Sequence, residues 1–164
     1  MIRDATEADI PGILAIWNPV IRDTAITFTD LEKTPQAIAA SLAEKRAAGH
    51  AFLILEAGGD IGGLATFGPF RSGPGYRHTF EHTILLAPGA RGCGQGRALM
   101  GALCDRARAA GGHSIFAGVS AENPAGLAFH ARLGFVETAR LPQVGRKFGR
   151  WMDLVLMQKM LRTD

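Results

Sequence analysis

The stretch that most constrains this chain is an apolar run, Thr79 to Leu86, followed by the turn Arg91-Gly92-Cys93-Gly94-Gln95-Gly96 and then by Leu99, Leu103, Ala107 and Ala110. The run predicts a strand, the spacing of the later residues predicts a helix, and the glycines between them allow close approach to the backbone. In such a strand–turn–helix the first N–H groups of the helix have no partner within it and converge on a point where an anion is favoured. The alternative is a glycine-rich turn with a purely structural role. Two other phosphate-binding patterns fail on spacing: a Walker loop needs Gly-Lys-Ser/Thr where this chain has Gly96-Arg97-Ala98, and the dinucleotide pattern needs glycine at Leu99.

The remaining elements fall around this unit. A short strand near Ile2 precedes Thr6 and Asp9, spaced as a capping box, and a helix marked by Ile10, Ile13, Leu14 and Trp17. Thr34-Pro35 starts a second helix, with Ile38 and Leu42 on its buried face, that ends near Gly49. Gly58-Gly59-Asp60 separates two apolar runs, a hairpin signal. Residues 68–78 carry too much Gly and Pro for regular structure. A short buried strand over 114–119, a helix capped by Asn123-Pro124 and ending at Gly134, and strands over 135–141 and 151–158 complete a mixed α/β order. With no repeat and no linker, residues 1–164 read as a single domain.

Charge and cysteine content narrow the function classes. The formal charge of +3 arises from 18 basic and 15 acidic residues without a basic arm, which argues against a nucleic-acid partner. Cys93 and Cys104 are too few for a disulfide framework and are not spaced as a metal or redox pair, so no metal site is expected and a reducing compartment is. The first residues, MIRDATEADIPG, put charges where a signal peptide needs an apolar core, and no run approaches the length of a membrane span. The expectation is a cytoplasmic protein without a membrane partner.

The strand, Arg91-Gly92-x-Gly94-x-Gly96-Arg97-Ala98-Leu99, then Asn123 and the ending HARLGF at 130–135, resembles the GNAT acetyltransferases. Three further segments, at 18–28, 75–86 and 142–158, are similar to the phosphinothricin and methionine sulfoximine acetyltransferase branch. The resemblance implies a GNAT fold, a mixed twisted sheet split between its fourth and fifth strands and flanked by helices, with acetyl-CoA as co-substrate in the split. It assigns Ile84, Leu85 and Leu86 to the pantetheine arm, Arg91, Gly92, Cys93, Gly94, Gln95, Gly96 and Arg97 to the pyrophosphate, and Asn123 to a pantetheine contact. Members often carry a basic residue where Cys93 stands and an aromatic one where Leu85 stands. The resemblance also implies a homodimer.

Acetyl transfer to an amine needs a neutral nucleophile, stabilisation of the developing oxyanion and a proton for the departing thiolate. Neither cysteine has a nucleophile's setting, so direct attack in a ternary complex is expected. Glu81, a carboxylate inside an apolar strand, is the candidate general base; otherwise it pairs with Arg77 or Lys147. His130 stands four residues before Gly134, where many relatives have the tyrosine that protonates the thiolate; otherwise it is a packing residue. His82 alternates with Glu81 and is expected on the opposite face.

By resemblance, Arg71, Ser72 and Gly73, with Glu81, His82 and Thr83, line the acceptor site; Tyr76 and Arg77 lie in the same loop and Phe28 offers an apolar wall. Arginines there suit a substrate carboxylate, whereas solvated charges and core packing are the plain alternatives. Lys147, Phe148 and Trp151 are placed to complete the pocket from the C-terminal segment or a second subunit. The expected reaction is acetylation of the α-amino group of phosphinothricin, methionine sulfoximine or methionine sulfone. The rivals are a protein N-terminal or polyamine acetyltransferase, and an acetyl-CoA-binding module without catalysis.

Overall fold

The computed structural model describes residues 1–162. Strands β1 (Ile2–Asp4), β2 (Phe52–Ala57), β3 (Asp60–Pro69), β4 (Thr79–Leu86), β5 (Ser114–Ser120), β6 (Val136–Lys147) and β7 (Arg150–Met160) form one sheet. Helices α1 (Ile10–Asp23), α2 (Pro35–Ala47), α3 (Gln95–Ala109) and α4 (Pro124–Arg132) flank it. The strand order is β1-β2-β3-β4-β5-β7-β6, and only β4 and β5 run parallel.

That parallel pair is where the sheet opens. Residues 79–82 pair with 114–117. Beyond them, residues 83–86 stay on β3 and residues 118–120 stay on β7, so the two strands diverge. The split between the fourth and fifth strands is present, and alternate backbone N–H and C=O groups of residues 83–86 face it without a strand partner.

Two apolar layers hold this geometry. Phe67, Phe80, Ile115 and Val155 of the sheet pack with Leu99 and Leu103 of α3, while Ile54 and Leu64 pack with Ile13 of α1 and Ile38 and Leu42 of α2. Phe80 belongs to the first layer and Leu85 to the second, so strand alternation sends His82 toward α3 and α4 and Glu81 and Thr83 toward α1. The helix starts follow the sequence signals. Thr34 Oγ1 accepts from the Ala37 N–H at 3.1 Å, and Asn123 Oδ1 accepts from the Gly126 N–H at 2.9 Å, each followed by proline at the first helical position.

The C-terminal hairpin is longer than the sequence suggests. Its ladder runs to Lys147 and back from Arg150, with an irregularity between Leu141 and Gly145 that absorbs Pro142. The turn is Phe148 (φ 53°) and Gly149 (φ 74°), both left-handed as a tight hairpin turn requires.

Candidate active site

On the α3 and α4 side of the split lies a groove of about 430 Å³, lined by Ile84, Leu85, Leu86, Arg91, Gly92, Gly94, Gly96, Arg97, Asn123, Phe129 and His130 among others. Gly92 and Gly94 have φ of 80° and 82°, a left-handed conformation that favours glycine, and a Cβ at either would meet no atom within 4 Å. Gly94 is the N-cap of α3 and supplies no side-chain cap, so the N–H groups of Gln95, Gly96 and Arg97 lack helical acceptors. An uncapped helix start, open glycine backbone and the Arg97 side chain make a cradle suited to a pyrophosphate.

Gly96 serves a different purpose. A Cβ there would lie 2.8 Å from Leu86 Cδ1 and 3.0 Å from Phe129 Cε2, so its smallness seats α3 against β4 and α4. Arg91 donates from Nε and Nη2 to the Leu86 carbonyl at 3.3 and 3.2 Å, and the exposed Cys93 donates its thiol to Ala90 O at 3.4 Å. Gln95 Oε1 is buried without a partner. Asn123 spends its carbonyl oxygen on the helix cap and keeps its amide hydrogens for the groove.

A second cavity of about 200 Å³ continues this groove through the split. It shares Ile26, Ile84, Leu85, Asn123 and His130 with the first and adds Thr27, Phe28, His82, Thr83, Gly118 and Leu154 among others. Glu81 on β4 lies behind Gly118, which lines it. A Cβ on Gly118 would stand 2.8 Å from Glu81 Oε1, so the missing side chain makes room for the carboxylate. Among the described residues Glu81 forms no ion pair: Arg77 donates to His78 Nε2 at 2.9 Å, and the Lys147 ammonium is bound to Thr24 and Thr27. Burial without a cation raises the Glu81 carboxyl above its ordinary range. Gly118→Ala is therefore expected to cut kcat/KM for the acceptor by about 10-fold or more through displacement of this carboxylate. Acetyl-CoA affinity, measured by calorimetry, should remain as in the wild type.

His130 lines both cavities. Its Nδ1 lies 2.7 Å from Gly126 O, an atom that only accepts, so the neutral ring carries its proton on Nδ1 and leaves a lone pair on Nε2. Nε2 is buried and has no partner. Burial lowers the His130 pKa, and the bond to Gly126 opposes this. His82 faces away from Glu81 as expected and stacks near His130, with ring centroids 5.1 Å apart. Both of its ring nitrogens are buried and unpartnered, and burial, followed by the neighbouring His130, pushes its pKa down to about 3.

The acceptor-side residues divide. Phe28 lines the second cavity and lies over Gly145, where any Cβ would strike its ring. Lys147 holds the same loop, donating to Thr24 O at 2.6 Å and Thr27 O at 2.9 Å, so it shapes the pocket without entering it. Its role was not legible because no spacing links position 147 to 24. Arg71 is exposed and lines neither cavity; it lies 5.6 Å from the Phe70 ring, which stacks at 4.4 Å on Phe116, the register partner of Glu81. Ser72, Gly73 and Tyr76 are exposed in the same loop. Arg77 is not brought to the cleft: its partner His78 is itself bound to Gly111 O at the end of α3. Phe148 and Trp151 are both 56% exposed on the hairpin and line neither cavity.

Residues 17–135 match the model of the acetyltransferase (GNAT) family. The chain belongs to this family. It is 42% identical over 99% of its length to the L-amino acid N-acyltransferase MnaT of Escherichia coli, covering 96% of that protein. It is 39% identical over 98% of its length to the L-methionine sulfoximine/L-methionine sulfone acetyltransferase of Salmonella typhimurium, covering 94% of it. The solved structure of the Salmonella typhimurium acetyltransferase yncA with its cofactor acetyl-CoA superposes with a TM-score of 0.94 at 38% identity, covering all of this chain and 95% of that one. This GNAT chain is an acyltransferase. Among the described residues no helix is long and apolar enough to cross a membrane, and no group of three or more His, Cys, Asp or Glu is placed to hold a metal ion.

Proposed function

We propose that this GNAT enzyme transfers acetyl from acetyl-CoA to the α-amino group of an amino acid with a tetrahedral polar head, such as methionine sulfoximine, methionine sulfone or phosphinothricin. The observation that carries the reading is the junction of the two cavities. An anion cradle leads along the free edge of β4 to Asn123 and His130, which line both cavities, and the second cavity is bounded by Gly118, against which the Glu81 carboxylate lies. The name of the Escherichia coli relative points to an L-amino acid acceptor, and that of the Salmonella typhimurium relative to methionine sulfoximine and methionine sulfone.

Chemistry follows from the free atoms. Glu81, desolvated and without a cation, takes the ammonium proton through water and leaves a neutral nucleophile. Unpaired N–H groups of residues 83–86 and the amide of Asn123 are the donors available to the thioester carbonyl and the pantetheine amides. As the C–N bond forms and the C–S bond breaks, the second amine proton must reach sulfur. His130 Nε2 is the free nitrogen there; as a neutral acceptor it takes that proton first and then returns it. Arg71, linked through Phe70 to Phe116, the register partner of Glu81, holds the acceptor's carboxylate and so orients the adjacent amine.

The same reading takes the protein to act as a cytoplasmic homodimer. Val136, Val144, Phe148 and Trp151, exposed along the last hairpin, are the apolar surface for the second copy. An acetyl-CoA consumption screen tests the acceptor and light scattering tests the dimer. Methionine sulfoximine or sulfone should be the best acceptor and phosphinothricin detectable, with methionine, lysine side chains and spermidine poor, while light scattering should give twice 17.4 kDa. Turnover of spermidine or of a peptide N-terminus, with none of the amino-acid analogues, sinks the acceptor assignment, and a monomer mass sinks the dimer.

A further inference from the structure

His82 takes no part in the chemistry above, yet it is the most anomalous side chain in the site. It is 8% exposed, lines the acceptor cavity, and neither ring nitrogen has a hydrogen-bond partner. Among the described residues the other buried imidazole nitrogen without a partner is His130 Nε2; the two rings lie 5.1 Å apart between centroids, and Phe135 packs at 5.5 Å from His82 and 5.1 Å from His130. Two buried rings that both line one cavity, do not bond each other directly and leave three nitrogens without a partner match a site for a bridging water.

Counting donors and acceptors fixes what the bridge does. Neutral His82 supplies one N–H and one lone pair, and His130 Nε2 supplies one lone pair, because its other nitrogen is committed to Gly126 O. A water has two hydrogens for the two lone pairs and can turn to accept when His130 becomes protonated. The other charged or titratable groups on the elements packed around the pair are Lys159, 5.9 Å from the Phe135 ring and bonded to Leu133 O, with Arg150 and Asp153 on β7, Arg132 on α4, Arg97, Cys104, Asp105, Arg106 and Arg108 on α3, Arg91 before α3, and Glu81 on the opposite face of β4. None of them bonds to either ring.

We propose that His82 is a positioning residue that anchors a water bridged to His130 Nε2, and that this water carries the amine proton to His130 and back to sulfur. The inference rests on the acetyl-transfer reading above. In the first step the water takes a proton from the attacking nitrogen as it gives one to His130 Nε2. In the second it takes that proton back as it gives one to the departing sulfur. Nitrogen loses one proton, sulfur gains one, and both water and His130 end unchanged. His82 stays neutral throughout, which suits an anchor that must not compete for the proton.

The test compares His82→Phe and His82→Gln with the wild-type enzyme. Phe keeps a flat ring but no nitrogen, so kcat should fall about 100-fold, while the KM for acetyl-CoA stays within about two-fold and Gln restores part of the rate. Rates in mixed H₂O and D₂O should curve for the wild type, reporting two protons in motion, and become linear in the Phe variant. Wild-type kcat with an unchanged isotope profile in the Phe variant overturns the proposal. One arm needs no acceptor: ¹⁵N spectra should show the His130 Nε2 resonance hydrogen-bonded in the wild type and free in the Phe variant. An identical resonance in both overturns the bridge, even if the amino-acid acceptors prove wrong.

Discussion

Glu81→Gln should lower kcat by about 10²–10⁴-fold and leave acetyl-CoA affinity unchanged, because the amide keeps the shape of the side chain but cannot take a proton. The structure sharpens this expectation. The carboxylate occupies the space left by Gly118 and has no ion pair among the described residues, so it is a base held in a partly desolvated position and not half of a salt bridge. Its raised pKa means that the active, deprotonated form is lost as pH falls through that raised value. The acidic limb of the wild-type profile should therefore lie above the usual carboxylate range and be absent in the variant. Stability carries the opposite sign. A carboxyl whose pKa is higher folded than unfolded binds more protons when folded, so its contribution declines as pH rises through that window. At neutral pH the Gln variant should melt no lower than the wild type. A variant with wild-type rate and an intact acidic limb would exclude Glu81 as the base.

Much of this site was legible because its parts are local. The glycine turn, the proline-marked helix starts and the carboxylate inside an apolar strand each reside in a few consecutive residues, and the structure keeps them where the spacing puts them. What escaped was non-local or chemically disguised. Gly96 sits in the same motif as Gly94 and reads alike, but only the packing of Leu86 and Phe129 reveals that its role is close approach. Alternation along β4 separated His82 from Glu81, yet nothing in the sequence says that α4 would bring His130 to the face where His82 points. Lys147 and Thr24 meet across 123 positions of sequence, and Lys147 ends a strand at a turn whose first residue is Phe148, where asparagine or glycine is the usual signal. Arg77 shows the converse error: a loop arginine near a catalytic strand invites a substrate role, and its bond to His78 turns it toward the end of α3 instead.

Gly94→Val is expected to weaken acetyl-CoA binding by about 10²–10⁴-fold, the equivalent of losing two charge-assisted hydrogen bonds. Valine at φ 82° is a branched residue in a left-handed conformation, so the chain must either bear strain or rotate away from it. Rotation redirects the N–H groups at the start of α3, which are the donors the cradle offers, and a side chain that stayed in place would project into open groove where the anion approaches. Neither route disturbs the core, since no atom lies within 4 Å of the added Cβ. The variant should fold, with its melting temperature close to that of the wild type. Gly96→Ala should behave in the reverse manner. Its methyl would press on Leu86 and Phe129, both packed against the main core, so it should lower the melting temperature more than it lowers cofactor affinity. Calorimetry and thermal unfolding on the two variants separate binding from packing within one six-residue turn, and undiminished acetyl-CoA affinity in folded Gly94→Val would remove the cradle from the site.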